Sequence, residues 1–522
     1  MTPSHRRDPD RSVAVHNRLW TALQPVRRHA RARLEVDTRA LAALRIALGS
    51  IVLFDLFHRA GSLETFYTNA GVYPLEVYQS TYSRYTGFSL HAASGEVWFQ
   101  QLLFVIAGAF AVALILGYRT RLVGFVSLVL LLSLHARNPA VLNGADQLLR
   151  VLLIVALLTP LGERWSVDAL RRGSARTTVV TFGTVALLAQ PVVVFTQNAI
   201  LKHEGDSWYA GEGITIAFAS DEMTIFLGNH LGSYPALLEL FNWVWITLLA
   251  GSGAFLLLTR GWQRVPVVFV YLGAFGGLLL SVSVGLFPLV LAAAVLPFLP
   301  TQFWDALEHL VPSRLARFRP RVSWLGPLER PPLEWRALGG LRRRGHGQIA
   351  SFVTGYARSV LTVAGFLVLV WMLLFGATHA SSYDVPDEIY SPHLDEQRWG
   401  LYAPDPSESY GWFGTEARLE NGSAVGAFGD ENITADRPPD AAQEYENFRE
   451  RKYLESVRDS GTDDSEGIIA TSYADWACEQ AVDEYGEDEL ETVTLYRFIQ
   501  SKPLEGEYEE APQHYTVVER SC

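Results

Sequence analysis
Lysine is almost absent from this chain. Of its 43 basic residues only Lys202, Lys452 and Lys502 are lysine, and the rest are arginine. Cysteine is nearly as scarce, with two residues, Cys478 and Cys522, both near the C-terminus. There is no Cys-x-x-Cys pair, no His-Glu-x-x-His and no glycine loop of the phosphate-cradling kind, so motif evidence for metal, redox or nucleotide chemistry is missing. The histidines are scattered. His58, His91, His135 and His203 follow no ligand spacing, and no metal site is expected. The polar, arginine-rich N-terminus has no short apolar core of the signal-peptide type, so the first apolar run is expected to direct insertion itself.

What the chain does have is apolar runs long enough to cross a bilayer. Nine are read, at about 39–58, 97–117, 121–137, 146–162, 178–201, 233–258, 265–283, 284–300 and 352–376. The expected fold is an all-α polytopic membrane bundle with a small acidic α+β extracytoplasmic C-terminal domain. Its parts are a cytoplasmic arginine-rich N-terminus (1–38), a transmembrane domain of about eight helices (39–300), an arginine-rich connection (301–351), a last helix (352–376) and the acidic domain (377–522). Within that domain 440–459 and 470–485 read as helices, and 411–428, 491–500 and 513–520 alternate like strands.

Charge orients the chain. Arginines crowd the N-terminus, Arg119/Arg121, Arg164 to Arg176, Arg260/Arg264 and the 301–351 connection, while the alternate loops are poor in basic residues. The positive-inside rule therefore puts the N-terminus in the cytoplasm and the C-terminal domain outside a cell membrane. The 301–351 arginines fit anionic lipid headgroups rather than nucleic acid. Residues 377–522 carry 34 acidic and 10 basic side chains, which with the lysine depletion fits a protein adapted to strong salt. Outside, Asn421-Gly422-Ser423 and Asn432-Ile433-Thr434 are glycosylation sequons, and a Cys478–Cys522 bridge is plausible.

Ionisable groups inside membrane helices are costly and so informative. Asp55 and His58 end the first span, Arg137 ends the third, Asp146 and Arg150 open the fourth four residues apart, and Glu239 with Asn242 lies in the sixth. Asn198 shares a helix face with Lys202. Arg45 lies toward the inner side, where snorkelling accounts for it. The first outer loop, with Tyr67, Tyr73, Tyr78, Tyr82, Tyr85 and Phe88, is placed along the interface. The charges gather in one leaflet, as a polar pocket opening outward would require. Ion pairs that only fix helix packing are the alternative. A lysine where the chain otherwise writes arginine points to proton chemistry, because arginine is effectively never deprotonated.

Several segments resemble a known family. Arg45-(x)3-Gly49, Tyr67-(x)3-Gly71-Val72-Tyr73-Pro74, Gly117-Tyr118-Arg119-Thr120-Arg121, Gly144-Ala145-Asp146 and Trp165-Ser166-Val167-Asp168 resemble the HTTM domain, the membrane domain shared with vitamin K-dependent gamma-carboxylases. Ala199 to Trp208, with Gly211, looks like the stretch carrying the carboxylase lysine, and Gln397 to Pro404 resembles the motif that opens the family's outside domain. The resemblance implies a membrane quinol as cofactor and Lys202 as its general base, with Asp146, Arg150 and Glu239 orienting or balancing that lysine. Asn198, His203, Trp208, Arg137 and Asp55 are the candidate cofactor-binding residues. The family's Asn-His pair is replaced by Gly144-Ala145, and its Lys-Lys pair by a single lysine before His203, so peptide gamma-carboxylation is not expected. The competing expectation is a non-catalytic scaffold that binds a lipid, quinone, isoprenoid or protein partner.

Overall fold
The computed structural model describes residues 24–25, 28–81, 87, 89–173, 175–219, 223–310, 359–374, 400–429, 445, 447–462, 467–486, 489–501 and 511–522. Apolar composition sets the bundle. Its helices are α1 (Thr38–Gly61), α2 (Val97–Leu116), α3 (Thr120–Arg137), α4 (Gly144–Leu157), α5 (Phe182–His203), the short α6 (Ser207–Ala210) and α7 (Gly213–Phe218), then α8 (Pro235–Ala250), α9 (Arg264–Ser281), α10 (Phe287–Val295), α11 (Thr301–Leu310) and α12 (Ser359–Leu374). Consecutive long helices from α1 to α5 pack against one another, α8 lies on α5, and α10 sits among α1, α4, α5 and α9.

Among the described residues five helices are long and apolar enough to cross a membrane: α1, α2, α3, α5 and the segment Gly261–Ser281. A sixth follows if Phe287–Phe298 and Thr301–Leu310, which meet at 102°, count as one span. Of the other three expected runs, α4 has 14 residues and is capped at Asn143, α8 gives way at Gly253–Leu258 to a π-helical segment, and α12 is described only over Ser359–Leu374, the rest of 352–376 lying outside the described residues.

Two quoted motifs turn out to be one joint. Asp168 accepts from Arg119 N (2.9 Å) and Thr120 N (2.7 Å), satisfying amides at the start of α3. Gly117 ends α2 with φ +66, and a Cβ there would lie 2.3 Å from Ser166 Cβ, so only glycine fits. Arg45 locks the same joint. It does not snorkel: it is fully buried and donates to the carbonyls of Ile115, Leu161, Arg164 and Trp165 at 2.6–3.2 Å. A charge with four acceptors is held in the interior rather than drawn to water.

The C-terminal domain is α+β, as its alternating and helical segments foretold. Strands β3 (Ser409–Leu419), β4 (Ala424–Gly426), β5 (Leu490–Ser501) and β6 (Gln513–Ser521) form an antiparallel sheet in the order β4-β3-β5-β6; β1 and β2 are a two-residue pairing of Val36–Asp37 with Thr178–Val179 in the bundle. Helices α13 (Phe448–Thr462) and α14 (Ile468–Tyr485) pack on each other, and α14 also lies on β5 and β6. A disulfide joins Cys478 of α14 to Cys522. The domain is docked on the bundle: Tyr453 Oη and Ser472 Oγ both donate to Val72 O (2.8 and 2.9 Å), and Ser456 Oγ donates to Ala140 O (2.9 Å).

Candidate functional site
Lys202 sits near the end of α5, one turn after Asn198, and both side chains meet a segment from the other end of the chain. Lys202 Nζ donates to Leu401 O (2.8 Å) and Tyr402 O (2.9 Å), while Asn198 Nδ2 lies 3.4 Å from Leu401 O. The ammonium also lies 3.3 Å from the centroid of the Trp208 ring, whose Nε1 donates to Tyr402 O (2.8 Å). Asn242 of α8 steadies this tryptophan by donating to its carbonyl (2.8 Å). The Gly400–Ser407 strap is pinned further along by Asp405, which accepts from Asp206 N and Ser207 N (both 3.0 Å) and from Ser207 Oγ. Partial burial alone would raise the Asp405 carboxyl, but these donors and the Lys202 ammonium hold it below the usual carboxylate range. Gly205 makes room: a Cβ there would be 2.4 Å from the Asp405 carboxylate.

Below Lys202 lies a cavity of about 380 Å³, walled by Phe218, Phe241, Trp245, Leu248 and Leu278 among others. Among the described residues Lys202 is its one charged wall residue. Phe241 and Val244 of α8 and Val270 of α9 are part-exposed, so the cavity opens between these two helices on their apolar face. A volume in the range of small-molecule sites, apolar walls and one polar end suit an amphiphile.

A second polar cluster lies under the docked domain. Arg59 donates to Asp55 Oδ2 (2.9 Å), Asp146 Oδ1 (2.8 Å) and the Tyr67 hydroxyl. Arg449 of α13 reaches in beside it, donating to Asp55 Oδ1 (2.5 Å), to both oxygens of Asp146 (3.0 and 3.2 Å) and to Val141 O (3.0 Å). Asp55, Arg59, Asp146 and Arg449 are all buried. His135 Nε2 stands 3.4 Å from Asp146 Oδ1 without a hydrogen bond. Asp55, His135 and Asp146 bring three donor atoms within 4.8 Å of one another, but two guanidiniums already supply the positive charge there, which argues against a metal ion.

The expected residues therefore divide. Lys202, Asn198 and Trp208 come together. Asp146 and Asp55 belong to the second cluster, and neither they nor Arg150 or Glu239 touch Lys202. Glu239 is exposed, facing Gly211, because α8 turns that side away from the cavity. His203 is exposed and meets only the Tyr209 ring among aromatic partners (4.9 Å), while His58 is exposed on α1 and His91 is buried against Ser133. Arg137 is buried between Tyr73 and Tyr78, and donates to Tyr73 O (2.9 Å). Tyr67, Tyr73 and Tyr78 are thus core residues rather than an interfacial belt. Asn421 lies exposed in the turn between β3 and β4, and Asn432, Tyr82, Tyr85 and Phe88 lie outside the described residues. Sequence reasoning missed Arg59 and Arg449. Arg59 had a signal in its four-residue spacing from Asp55; Arg449, one base in an acidic domain, had none.

A bundle of apolar helices, five or six of them long enough to cross a membrane, carrying a docked α+β domain defines a multi-helix membrane protein. The HTTM domain matches residues 34–304, and the chain belongs to the HTTM-domain family, whose domain occurs in membrane proteins such as vitamin K-dependent carboxylases. Comparison with curated proteins and with solved structures gives no match.

Proposed function
We propose that the protein is a multi-pass cell-membrane protein, its N-terminus cytoplasmic and its C-terminal domain outside, that takes a quinol or isoprenoid-type lipid into the Lys202 cavity. The observation that carries this is the apolar cavity, bordered by part-exposed residues of α8 and α9, with the Lys202 amine in its wall. The disulfide supports the orientation, since such bonds persist outside the cytoplasm. So does the arginine distribution. The fit to a quinone is one of chemistry: flat aromatic walls for a ring, aliphatic ones for a tail, and a lysine for a ring oxygen. A reduced quinone bound there would supply a weakly acidic hydroxyl. Lys202, when unprotonated, keeps two N–H donors for Leu401 O and Tyr402 O and leaves a lone pair for that proton. Trp208 and the strap position the amine throughout.

One observation favours a second, non-catalytic reading. Two carbonyls and an aromatic face also suit a permanent ammonium, so Lys202 would then serve as a clamp for the strap. Native mass spectrometry with lipid extraction, comparing wild type with Lys202→Arg and Lys202→Met, separates the two. A quinone or isoprenoid that co-purifies with wild type and is lost or chemically altered in both variants supports the base. If Lys202→Arg keeps the same ligand unaltered while Lys202→Met loses it, Lys202 acts through charge alone. No ligand in any of the three proteins sinks the amphiphile reading.

A further inference from the structure
The Lys202 cavity has a neighbour. A second cavity of about 250 Å³ lies against the strap, walled by Met223, Gly400, Ala403, Asp405 and Ser407 among others. Tyr402 and Ala217 line both cavities. The two differ in kind. The first has apolar walls and opens among membrane-facing side chains, whereas the second is walled partly by Asp405 and Ser407, both exposed.

Tyr402 is held in an unusual way. Its backbone has φ +53, a region that bulky residues seldom occupy and that persists where surroundings over-determine it. Here the surroundings are visible: its carbonyl accepts from both Lys202 Nζ and Trp208 Nε1, so the backbone cannot relax without losing both bonds. Its hydroxyl donates to Met223 Sδ (3.7 Å) across the second cavity. Tyr402 thus borders both spaces, its carbonyl held on the Lys202 side and its hydroxyl on the Met223 side.

We propose that Tyr402 is the partition of a two-chambered site, in which a polar vestibule admits a small uncharged or cationic solute from water toward the chamber that Lys202 closes. Among the described residues the vestibule walls carry one carboxylate, Asp405, and no basic side chain, which disfavours anions at its entrance. This inference rests on reading the larger cavity as a membrane-side chamber, but needs no lipid to be bound there.

Cysteine accessibility tests it. The protein has no free cysteine among the described residues, and the full chain has only the bridged pair, so an introduced thiol reports alone. Gly277 lines the larger cavity with open space where a side chain would grow, and Ser407 lines the vestibule. Gly277→Cys and Ser407→Cys proteins in lipid nanodiscs are treated with a trimethylammonium methanethiosulfonate, which is water-soluble and cationic. Ser407→Cys should react readily and Gly277→Cys slowly. Adding Tyr402→Asn, which tolerates the left-handed backbone but removes the ring, should speed Gly277→Cys by roughly tenfold or more, as removing a gate does. Tyr402→Phe should leave it slow. Two results overturn the proposal: Gly277→Cys reacting as fast as Ser407→Cys with Tyr402 intact, or no acceleration in Tyr402→Asn while Ser407→Cys keeps its rate. Should Tyr402→Asn disturb the strap, Ser407→Cys would change rate too, and Ala217→Trp, which narrows the shared wall, then gives the opposite test by slowing entry further. Protein that passes these tests while no quinone or isoprenoid co-purifies with it would uphold the partition even though the quinol reading failed.

Discussion
Arg449 shows how much one side chain can carry in this molecule. It leaves an acidic domain to enter a buried site already holding Arg59, and the pair of arginines balances Asp55 and Asp146. Taking one partner from such a set leaves a charge buried without compensation, which costs about 3–5 kcal/mol. Arg449→Ala should therefore lower the thermal midpoint of the purified protein by several degrees and expose the α13 region to limited proteolysis. Arg449→Lys, which keeps the charge but not the planar fork that meets both carboxylates, should recover part of the loss. A melt for Arg449→Ala that overlays the wild type would mean the contact is incidental. The same scale explains why Lys202 and Arg449 differed in legibility. Lys202 stood out by residue type, since the chain avoids lysine. Arg449 is an arginine among arginines, and its partners lie 394 and 303 residues away.

At the scale of elements, the strap is the piece that makes the Lys202 site. Hydropathy made the long helices legible because burial in lipid demands continuous apolar runs, and alternation made the domain's strands legible because their two faces differ. The strap has neither period. Its motif, Gln397 to Pro404, was visible as a string, but that Leu401 and Tyr402 would offer carbonyls to a lysine 199 and 200 residues away was not. Asp405 anchors this element and gives it a pH dependence. Because its folded carboxyl titrates below the ordinary value of about 3.9, its contribution is fully present above that value and is lost as pH falls through the lower folded value. Hydrogen exchange of the Asp206 and Ser207 amides should thus rise toward its intrinsic rate only in that acid window. Asp405→Asn should show the faster exchange at neutral pH and no such window. Wild-type amides that stay protected however far the pH falls below the ordinary carboxylate range would show that the strap is held by Lys202 and Trp208 without help from Asp405.

For the whole molecule, the C-terminal domain is the common partner of both polar clusters: its leading strap meets Lys202, and its helix α13 delivers Arg449. Such a domain can couple the two only if it is itself rigid, and the Cys478–Cys522 bond closes its far end. The bond spans 44 residues of sequence, which on the chain-entropy account stabilises the fold by about 4 kcal/mol. It holds β6, the edge strand of the sheet, to α14, and α14 donates through Ser472 to Val72 of the bundle. Replacing both cysteines with serine should therefore act in a defined order. Strand β6 should lose amide protection first, and the domain should melt earlier than the bundle in calorimetry, splitting one transition into two. The Arg449 contacts, made by the other helix, should survive at temperatures where β6 has frayed, so proteolysis would cut near the C-terminus before it cuts α13. If instead the doubly substituted protein loses β6, α13 and the bundle in a single transition, the domain and bundle form one cooperative unit, and the two clusters are coupled through its whole core rather than through separate anchors.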